Sequence, residues 1–294
     1  MNAPPLLPRP LRKVGVPPLK CQGIKTRLVP FIFRNIRWTG RGRWIEPFLG
    51  SGVVLFNLLP ERAIVCDTNR HIIQLYRDIQ TGYIDEGAVG SYLEEAGKQL
   101  SRQGERFYYE MRERFNRCGG SLEFLFLNRS CFNGMMRFNG RGEMNVPFCR
   151  KPERFRKAYT TKIRNQVRWV SEILQRTSWE FRTCDWQETV LDAGPDDFIY
   201  ADPPYIGRHT GYYNTWTERD AVKLAHSLLS SSSGFAMSMW KGNKYRSNPY
   251  IDRYWKGCEH RTCGHFYHIG PTESFRNSME EVLIVKPGFA SAAG

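Results

Sequence analysis

Four consecutive residues, Asp202-Pro203-Pro204-Tyr205, could carry chemistry because they follow an apolar run, residues 198–201, that is typical of a β-strand. The two prolines fix φ and remove both amide donors, which leaves the Asp202 carboxylate and the Pro203 carbonyl side by side as acceptors. Such a pair can hold both protons of an exocyclic amine, for example adenine N6, and so free its lone pair for in-line attack on a methyl sulfonium. Tyr205 adds a flat face for a base that has left the duplex. The alternative is an ordinary Pro-Pro turn at a strand end.

A glycine-containing loop lies upstream, at residues 46–52, and reads Glu-Pro-Phe-Leu-Gly-Ser-Gly after another predicted strand. Glycines at the carboxyl end of a strand let the backbone approach a small molecule closely. The loop lacks the third glycine of the dinucleotide fingerprint, which argues against a bound pyrophosphate. Asp67 ends the next predicted strand, where it could accept hydrogen bonds from ribose hydroxyls, form a turn or cap the following helix. Together these features predict a nucleoside-containing ligand without a diphosphate, and S-adenosylmethionine meets that description.

The formal net charge of the 294-residue chain is +14, and the positive charge is concentrated in one segment. Residues 98–182 contain nineteen Lys or Arg residues and eight Glu residues, an excess of eleven positive charges. Such a field is expected where a protein binds a phosphate backbone, although a solvated basic surface would give the same composition. We expect a nucleic acid partner.

These motifs are carried by alternating strand and helix signals. Strands are predicted at residues 43–46, 63–66, 179–182, 198–200, 234–239 and 282–285, with helices near residues 24–36, 53–59 and 71–79. Between about residues 84 and 175 the pattern changes to helical segments rich in Arg and Glu, interrupted by a Gly- and Asn-rich stretch. The expected fold is therefore α/β, a doubly wound sheet split by a helical, basic insertion. The proline-rich residues 1–18 are predicted to form an extended basic arm outside the core.

Five motifs, taken together, resemble the Dam-type family (D12 class, alpha group) of DNA adenine N6-methyltransferases, and the resemblance covers nearly the whole chain. In chain order they are Lys20-Cys-Gln-Gly-Ile-Lys25, which resembles W-x-G-G-K, residues 46–52 (E-P-F-x-G-x-G), residues 67–69 (D-x-N), residues 128–148 (N-R-x-x-Y-N-G-x-x-R-Y-N-x-x-G-x-F-N-V-P-F) and residues 202–205 (D-P-P-Y). The resemblance implies a Rossmann-like methyltransferase sheet that binds S-adenosylmethionine, formed by residues 19–83 and 176–294. It also implies that residues 84–175 are a target-recognition domain carrying a β-hairpin.

The same resemblance implies where the methyl donor binds. Its methionine end would lie on the glycine loop near Lys25, its ribose on Asp67 and its adenine near Asp185 and Trp186. Asp185 could equally be part of a plain acidic turn. The residues expected to bind the cofactor are Lys25, Glu46, Pro47, Phe48, Gly50, Gly52, Asp67, Asp185, Trp186 and Asp202.

The hairpin is implied to enter duplex DNA. Phe132 would intercalate beside the flipped adenine, with Asn133 next to it, and Arg137 would read a guanine, since its planar fork matches O6 and N7. Loop packing or a phosphate contact is the alternative for each of these residues. The expected DNA-binding residues are Arg129, Phe132, Asn133, Met135, Arg137, Asn139 and Pro147, of which Met135 and Pro147 would contact a thymine methyl.

The sequence departs from the family pattern at two places, each of which affects an expectation. Cys21 and Ile24 replace the usual Trp and second Gly of the N-terminal motif, but Lys25 is retained. Ser130 and Cys131 stand where the family often has an aromatic residue and Gly. We therefore expect a recognition site that contains GA but need not be GATC.

Other readings of the sequence are a methyltransferase for cytosine N4 or glutamine amides, and a nucleic-acid-binding protein that has lost its chemistry. Asp at position 202 weighs against the first, because those enzymes carry N-P-P-Y or S-P-P-Y. Residues 258–268 contain two Cys and three His, but their spacing fits no common zinc motif, so no metal is expected.

The remaining expectations concern the setting of the protein. The eight cysteines are predicted to be reduced thiols, and neither a membrane span nor a secretory signal is recognised, so a cytoplasmic location is expected. Double-stranded DNA is the expected partner, without an obligatory protein partner. A cognate restriction endonuclease acting on the same site is compatible with the reading, as is a solitary or phage enzyme.

Overall fold

The computed structural model describes residues 6–21, 23, 25–206, 216–243, 247–266 and 278–291. Its strands form one mixed sheet in the order β3-β2-β1-β4-β5-β7-β6. The first five strands of this order run parallel, and β7 pairs antiparallel with both β5 and β6. The strands are β1 (Trp44–Glu46), β2 (Arg62–Cys66), β3 (Ser178–Arg182), β4 (Phe198–Ala201), β5 (Gly234–Asn243), β6 (Glu259–Phe266) and β7 (Ser278–Val285). The predicted α/β doubly wound fold is confirmed.

Helices cover both faces of the sheet. They are α1 (Val29–Asn35), α2 (Val53–Leu58), α3 (Arg70–Gln80), α4 (Glu86–Gln103), α5 (Glu105–Cys118), α6 (Ser121–Ser130), α7 (Lys157–Leu174), α8 (Trp186–Leu191), α9 (Glu218–Ser230) and α10 (Pro249–Tyr254). The sequence reading missed α8, α9, α10 and β6. For α9 a local signal was present, because Thr217 and Asp220 form a capping box at its first turn.

One face of the sheet shares a continuous hydrophobic core with the helices between β2 and β3. Val89, Tyr108, Phe124 and Val167 of these helices belong to the same buried cluster as the sheet residues. The opposite face packs against α8, α9 and α10 in a second cluster. The basic helical segment, residues 84–175, is therefore attached to the sheet domain by apolar packing in addition to its two covalent connections.

The proline-rich arm is partly buried, which corrects one expectation. Leu7 lies in the core, and its backbone forms two hydrogen bonds with Trp38, N–H to carbonyl 2.8 and 2.9 Å. Farther along the arm, the Gly15 N–H donates to Asn57 Oδ1 at 2.8 Å. Pairing with Trp38 buries Leu7 although the surrounding prolines prevent regular secondary structure.

The sheet contains a topological switch point at β1. The chain continues from β1 to β2 on one side, whereas β4 lies on the other side of β1. Loops that leave two such strands at their carboxyl ends diverge and open a crevice between them. The loop at residues 46–52 follows β1 and the tetrapeptide at residues 202–205 follows β4, so the fold brings the two motifs together.

The stretch between α6 and α7 contains a hairpin, with isolated bridges between Cys131 and Phe148 and between Phe138 and Met144. Its alternate side chains are buried, and Phe138 stacks on His71 of α3 with ring centroids 5.5 Å apart. One face of the hairpin is thus fixed to the core, and the other is directed outwards. Residues 128–130, which the motif comparison placed with the hairpin, form the last turn of α6.

Candidate active site

The loop at residues 46–52 needs its glycines for conformation and for space. Gly50 and Gly52 both have a left-handed backbone, with φ of 52° and 69°. A Cβ atom on Gly52 would lie 2.8 Å from the Phe56 ring, which is closer than side-chain atoms approach. The loop therefore presents bare backbone at the carboxyl end of β1, as a closely bound ligand requires.

Asp67 braces this loop. Its Oδ2 accepts a hydrogen bond from the Gly50 N–H at 3.0 Å, and its Oδ1 accepts one from the Asn69 N–H at 2.8 Å. Burial raises the pKa of Asp67 to about 6, against the two N–H bonds, which favour the carboxylate. The cap of α3 is Asn69, whose side chain accepts from the His71 N–H. Asp67 is therefore not the helix cap that one sequence reading suggested, and it lies beside the glycine loop.

Glu46, the last residue of β1, is a buried carboxyl group at the start of the loop. Its Oε1 accepts a hydrogen bond from Trp44 Nε1 at 2.8 Å. Burial raises the pKa of Glu46 to about 8, with a bond from Trp44 opposing the shift and the nearby Asp202 adding to it. In the free protein this carboxyl is therefore largely protonated at neutral pH, and a positively charged partner would favour its ionised form.

We predict that Glu46→Gln stabilises the free protein at alkaline pH. A carboxyl whose pKa is raised in the folded state contributes stability below its ordinary pKa of 4.5, and that contribution is lost as pH rises towards about 8. The glutamine side chain would keep the acceptor for Trp44 without the buried charge. The melting temperature should rise by at least about 3 °C at pH 9, and the difference should shrink towards pH 5. Glu61→Gln, at an exposed position, is the control; equal effects of the two substitutions would contradict the prediction.

Lys25 contacts two of the four catalytic candidates of the tetrapeptide, Asp202 and Tyr205. Its buried ammonium lies 2.9 Å from Asp202 Oδ1 and donates to the Tyr205 hydroxyl at 2.9 Å. Burial disfavours the ammonium, but attraction to Asp202 and other neighbouring groups outweighs this and holds the pKa of Lys25 well above its ordinary value. Burial also raises the pKa of Asp202, and Lys25 opposes that rise. The structure thus brings Lys25, expected at the cofactor, into contact with Asp202 and Tyr205 of the tetrapeptide.

Glu281 of β7 completes this group and was missed in the sequence. Only 2% of its surface is exposed, and its Oε2 accepts a hydrogen bond from the Tyr205 hydroxyl at 2.8 Å. The available signal was a glutamate directly before the apolar run of residues 282–285, which is predicted to form a strand. A buried carboxylate in such a strand requires a polar partner, and here that partner comes from the tetrapeptide.

Three aromatic side chains cluster at the glycine loop, one of them from the loop itself. Phe48 contacts Trp186 and Trp216, with ring centroids 6.4 and 5.5 Å away, and the two tryptophans are 6.4 Å apart. Trp216 was not predicted as a site residue. Asp185 is exposed and caps α8, since its Oδ1 accepts from the Gln187 N–H at 3.0 Å. Asp185 thus has the place of the plain acidic turn that was the alternative to cofactor binding, and its carboxylate is exposed.

A cavity of about 270 Å³ lies next to the tetrapeptide. Pro203, Pro204 and Tyr205 line one side, and the other walls are largely apolar and include Met239 and Tyr250. A planar, mostly apolar group that enters this cavity would contact the tetrapeptide directly.

A family model described as D12 class N6 adenine-specific DNA methyltransferase matches residues 22–269. The chain belongs to this family. It is similar to the DNA adenine methylase of Vibrio cholerae, with 28% identity over 288 residues that cover 94% of this chain and 98% of the relative. The Serratia marcescens DNA adenine methylase is 31% identical over 230 residues, or 71% of this chain and 76% of the relative. That of Haemophilus influenzae is 35% identical over 170 residues, which span 55% of this chain and about half (54%) of the relative.

Membership of the D12 class confirms the predicted family and the predicted reaction class, methylation of adenine N6 in DNA. None of the helices in the described residues is long and apolar enough to cross a membrane. In the residues that the structure describes, all eight cysteines are free, and no three potential metal-ligating side chains come together. Residues 267 and 268 of the Cys- and His-containing stretch, and residues 22 and 24 of the N-terminal motif, lie outside the described residues.

The hairpin of this D12-class methyltransferase presents several predicted DNA contacts at its surface. Phe132 has half of its surface exposed, and Asn133 is exposed in a left-handed conformation with φ of 54°. Pro147 is exposed and Met135 half-buried. Asn139 shapes the hairpin turn instead of standing free, because its side-chain oxygen accepts from the N–H groups of residues 141 and 143.

Arg137 is held in place by Asn145 on the opposite hairpin strand. Its Nε donates to Asn145 Oδ1 at 2.8 Å and its Nη2 to the Asn145 carbonyl at 2.9 Å. These bonds fix the plane of the guanidinium and reduce the rotamer freedom that would be lost on binding. Asn145 is a third residue, after Glu281 and Trp216, that the sequence analysis does not single out.

Arg129 is placed differently from its prediction as a DNA contact. It is 4% exposed, its Nε donates to the Pro18 carbonyl at 2.6 Å, and its Nη2 bonds Gln166 of α7. Burial lowers the pKa of Arg129, and the nearby Tyr159 partly offsets this. In this arrangement Arg129 ties the arm to α6 and α7, because its position in the last turn of α6 directs it inwards.

Proposed function

We propose that this protein transfers the methyl group of S-adenosylmethionine to adenine N6 at a GA-containing site in duplex DNA, after flipping the target base. The observation that carries the proposal is the meeting of Asp202 and Tyr205 around the buried ammonium of Lys25, beside the glycine loop. This arrangement places the Asp202 carboxylate, an acceptor for amine protons, close to the aromatic ring of Tyr205 at the switch point of the sheet.

In the proposed reaction Asp202 and the Pro203 carbonyl accept hydrogen bonds from the two N6 protons. The nitrogen becomes pyramidal, and its lone pair forms the new N–C bond in line with the C–S bond that breaks. S-adenosylmethionine supplies the electrophilic methyl group and a sulfur that takes the electron pair. The proton that N6 must then lose passes to the Asp202 carboxylate, and Tyr205 provides the surface on which the base stacks.

The residues beside the glycine loop fit this cofactor. Bare backbone at Gly50 and Gly52 allows close approach, and the carboxyl of Glu46 suits a positively charged amino group. Asp67 would accept from the ribose, since each of its oxygens has a lone pair beyond its backbone bond. We assign Phe48 and Trp186, with Trp216, to the adenine ring, and Asp185 to its polar edge.

The DNA would lie across the outward face of the hairpin and the basic helical segment. Phe132 is the exposed aromatic residue suited to fill the space that the flipped adenine leaves. Asn133, Met135 and Pro147 border it, and the excess of eleven positive charges in residues 98–182 would attract the phosphate backbone.

We predict that Arg137→Ala relaxes selectivity at one base pair. Loss of its bidentate contact to a guanine should cost about 1–3 kcal/mol there, and the preference at the other positions should remain. The measurement is kcat/KM on duplexes that carry each single base-pair change in the site. Arg141→Ala, at an exposed position in the turn of the same hairpin, is the matched control and should weaken all duplexes alike. An equal loss on every duplex with Arg137→Ala would contradict base reading.

The proposed function is tested by tritiated methyl transfer from S-adenosylmethionine to duplex DNA, followed by nucleoside analysis. The label is expected in N6-methyl-2′-deoxyadenosine, and sequencing of the methylated DNA should return one GA-containing site. Label in N4-methylcytosine, or no transfer to DNA by the folded protein, would contradict the proposal.

A further inference from the structure

Glu281 is a buried carboxylate for which the proposed reaction has no use. It lies on β7, 76 residues from Tyr205 in sequence, and only 2% of its surface is exposed. Burying a carboxylate is costly unless it is paired and hydrogen-bonded. Its Oε2 accepts the hydrogen bond of Tyr205, a tetrapeptide residue, at 2.8 Å.

The direction of each hydrogen bond in this group follows from the chemistry of its members. An ammonium can only donate, so Lys25 donates to the Tyr205 oxygen and its charge faces Asp202. A phenol has a single proton, and the Tyr205 proton is directed to Glu281. The bonds therefore run from Lys25 through Tyr205 to Glu281, and the same ammonium also pairs with Asp202.

We propose that Glu281 is a positioning residue for methyl transfer, which acts through the Tyr205 hydroxyl to hold both the ring under the target base and the Lys25 ammonium that orients Asp202. This inference rests on the proposed function and assigns a role in it to a residue of β7. Glu281 does not touch the reacting atoms, so its contribution appears in the rate of the bound complex and not in DNA affinity.

The negative charge of Glu281 provides a second measurable effect, on the pH dependence of activity. Two carboxylates, Asp202 and Glu281, face the single ammonium of Lys25, and both contribute to the raised pKa of Lys25. Loss of the Glu281 charge should lower that pKa and move the alkaline decline of activity to lower pH. The titratable groups that act on Lys25 or on Asp202 are Asp202, Tyr205, Glu281, Tyr200, Cys21 and Glu46.

The test compares steady-state kinetics of Glu281→Gln, Tyr205→Phe and the double variant with those of the parent. Each single variant should lower kcat by roughly tenfold to a hundredfold, as expected for a hydrogen bond to a charged group, with KM for DNA nearly unchanged. The double variant should be little worse than either single one, because both break the same link. Glu280→Gln is the matched control, since Glu280 is the exposed neighbour on the same strand and pairs with Lys241.

Three results would overturn the proposal: parental kcat in either folded single variant, multiplied losses in the double variant, or an alkaline limb that does not move in Glu281→Gln. If Glu281→Gln fails to fold, Tyr205→Phe still tests the link, because it removes the hydroxyl and leaves the carboxylate in place. A parent that transfers no methyl group to DNA would instead contradict the proposed function, so the two failures are distinguishable.

Discussion

Replacing Asp202 with alanine is expected to reduce kcat for methyl transfer by about a hundredfold to ten-thousandfold. The substitution removes an acceptor of the N6 protons and the base that takes the proton released after transfer. It also leaves the buried ammonium of Lys25 without the carboxylate 2.9 Å away. Single-turnover transfer of tritiated methyl groups measures the effect on the chemical step.

The control for this prediction is Asp196→Ala, since Asp196 is an exposed carboxylate on the approach to β4. It should retain parental activity. Because Asp202 is not required for stacking on Tyr205, Asp202→Ala should still flip the base, which 2-aminopurine fluorescence at the target position can follow. Methyl transfer at the parental rate by Asp202→Ala would exclude the tetrapeptide as the catalytic element.

Replacing Lys25 with methionine is expected to give opposite pH trends in activity and stability. Removing one partner of a buried pair costs about 3 kcal/mol or more. Burial already raises the pKa of Asp202, and without Lys25 that pKa should rise further, so that at any given pH more of the carboxyl is protonated than in the parent. A protonated carboxyl cannot accept the N6 proton, so the activity of the variant should rise with pH over a range in which that of the parent has already levelled off.

The stability of Lys25→Met should change in the other direction. A carboxyl with a raised pKa in the folded state contributes stability below its unfolded pKa, and this is lost as pH rises through the folded value. The free energy of unfolding should therefore fall with pH while kcat rises. Lys241→Met removes an exposed ion pair with Glu280 and should cost at most about 1 kcal/mol at any pH. If kcat and the free energy of unfolding of Lys25→Met each change with pH as they do in the parent, this explanation is wrong.

Asp202→Ala and Lys25→Met differ in how far each is expected to change activity and stability. Asp202 has 25% of its side chain exposed, but alanine there leaves the enclosed Lys25 ammonium unpaired, so Asp202→Ala should lose some stability together with an activity that does not recover at higher pH. Lys25 is almost fully enclosed, so its replacement changes stability and activity together. For each variant, the loss in kcat is compared with the loss in the free energy of unfolding. The residue with the larger loss in kcat for its loss in stability is the one that acts on the substrate.

Much of the sheet could be predicted because its signals are local. The strands that end at Glu46, Cys66 and Ala201 are short apolar runs followed by glycine, aspartate or proline, and the structure places them within a residue or two of the prediction. The helix α9 and the strand β6 were missed for different reasons. The first begins with a capping box that was overlooked, whereas the second is polar and becomes a strand by pairing antiparallel with β7.

By itself the sequence determined the reaction class of this protein and the motifs to which we assign its chemistry, because those motifs depend on backbone constraints within a few residues. Proline at positions 203 and 204 fixes the acceptors, and glycine at positions 50 and 52 permits the left-handed loop, wherever the remaining chain lies. The tertiary structure alone decided which distant groups meet them. Glu281 reaches Tyr205 only because β7 lies beside β5, and Arg129 turns inwards only because the arm and α7 offer acceptors there. The burial and the hydrogen-bond partners of these side chains depend on packing between segments that are far apart in the chain. A local sequence pattern therefore cannot predict them.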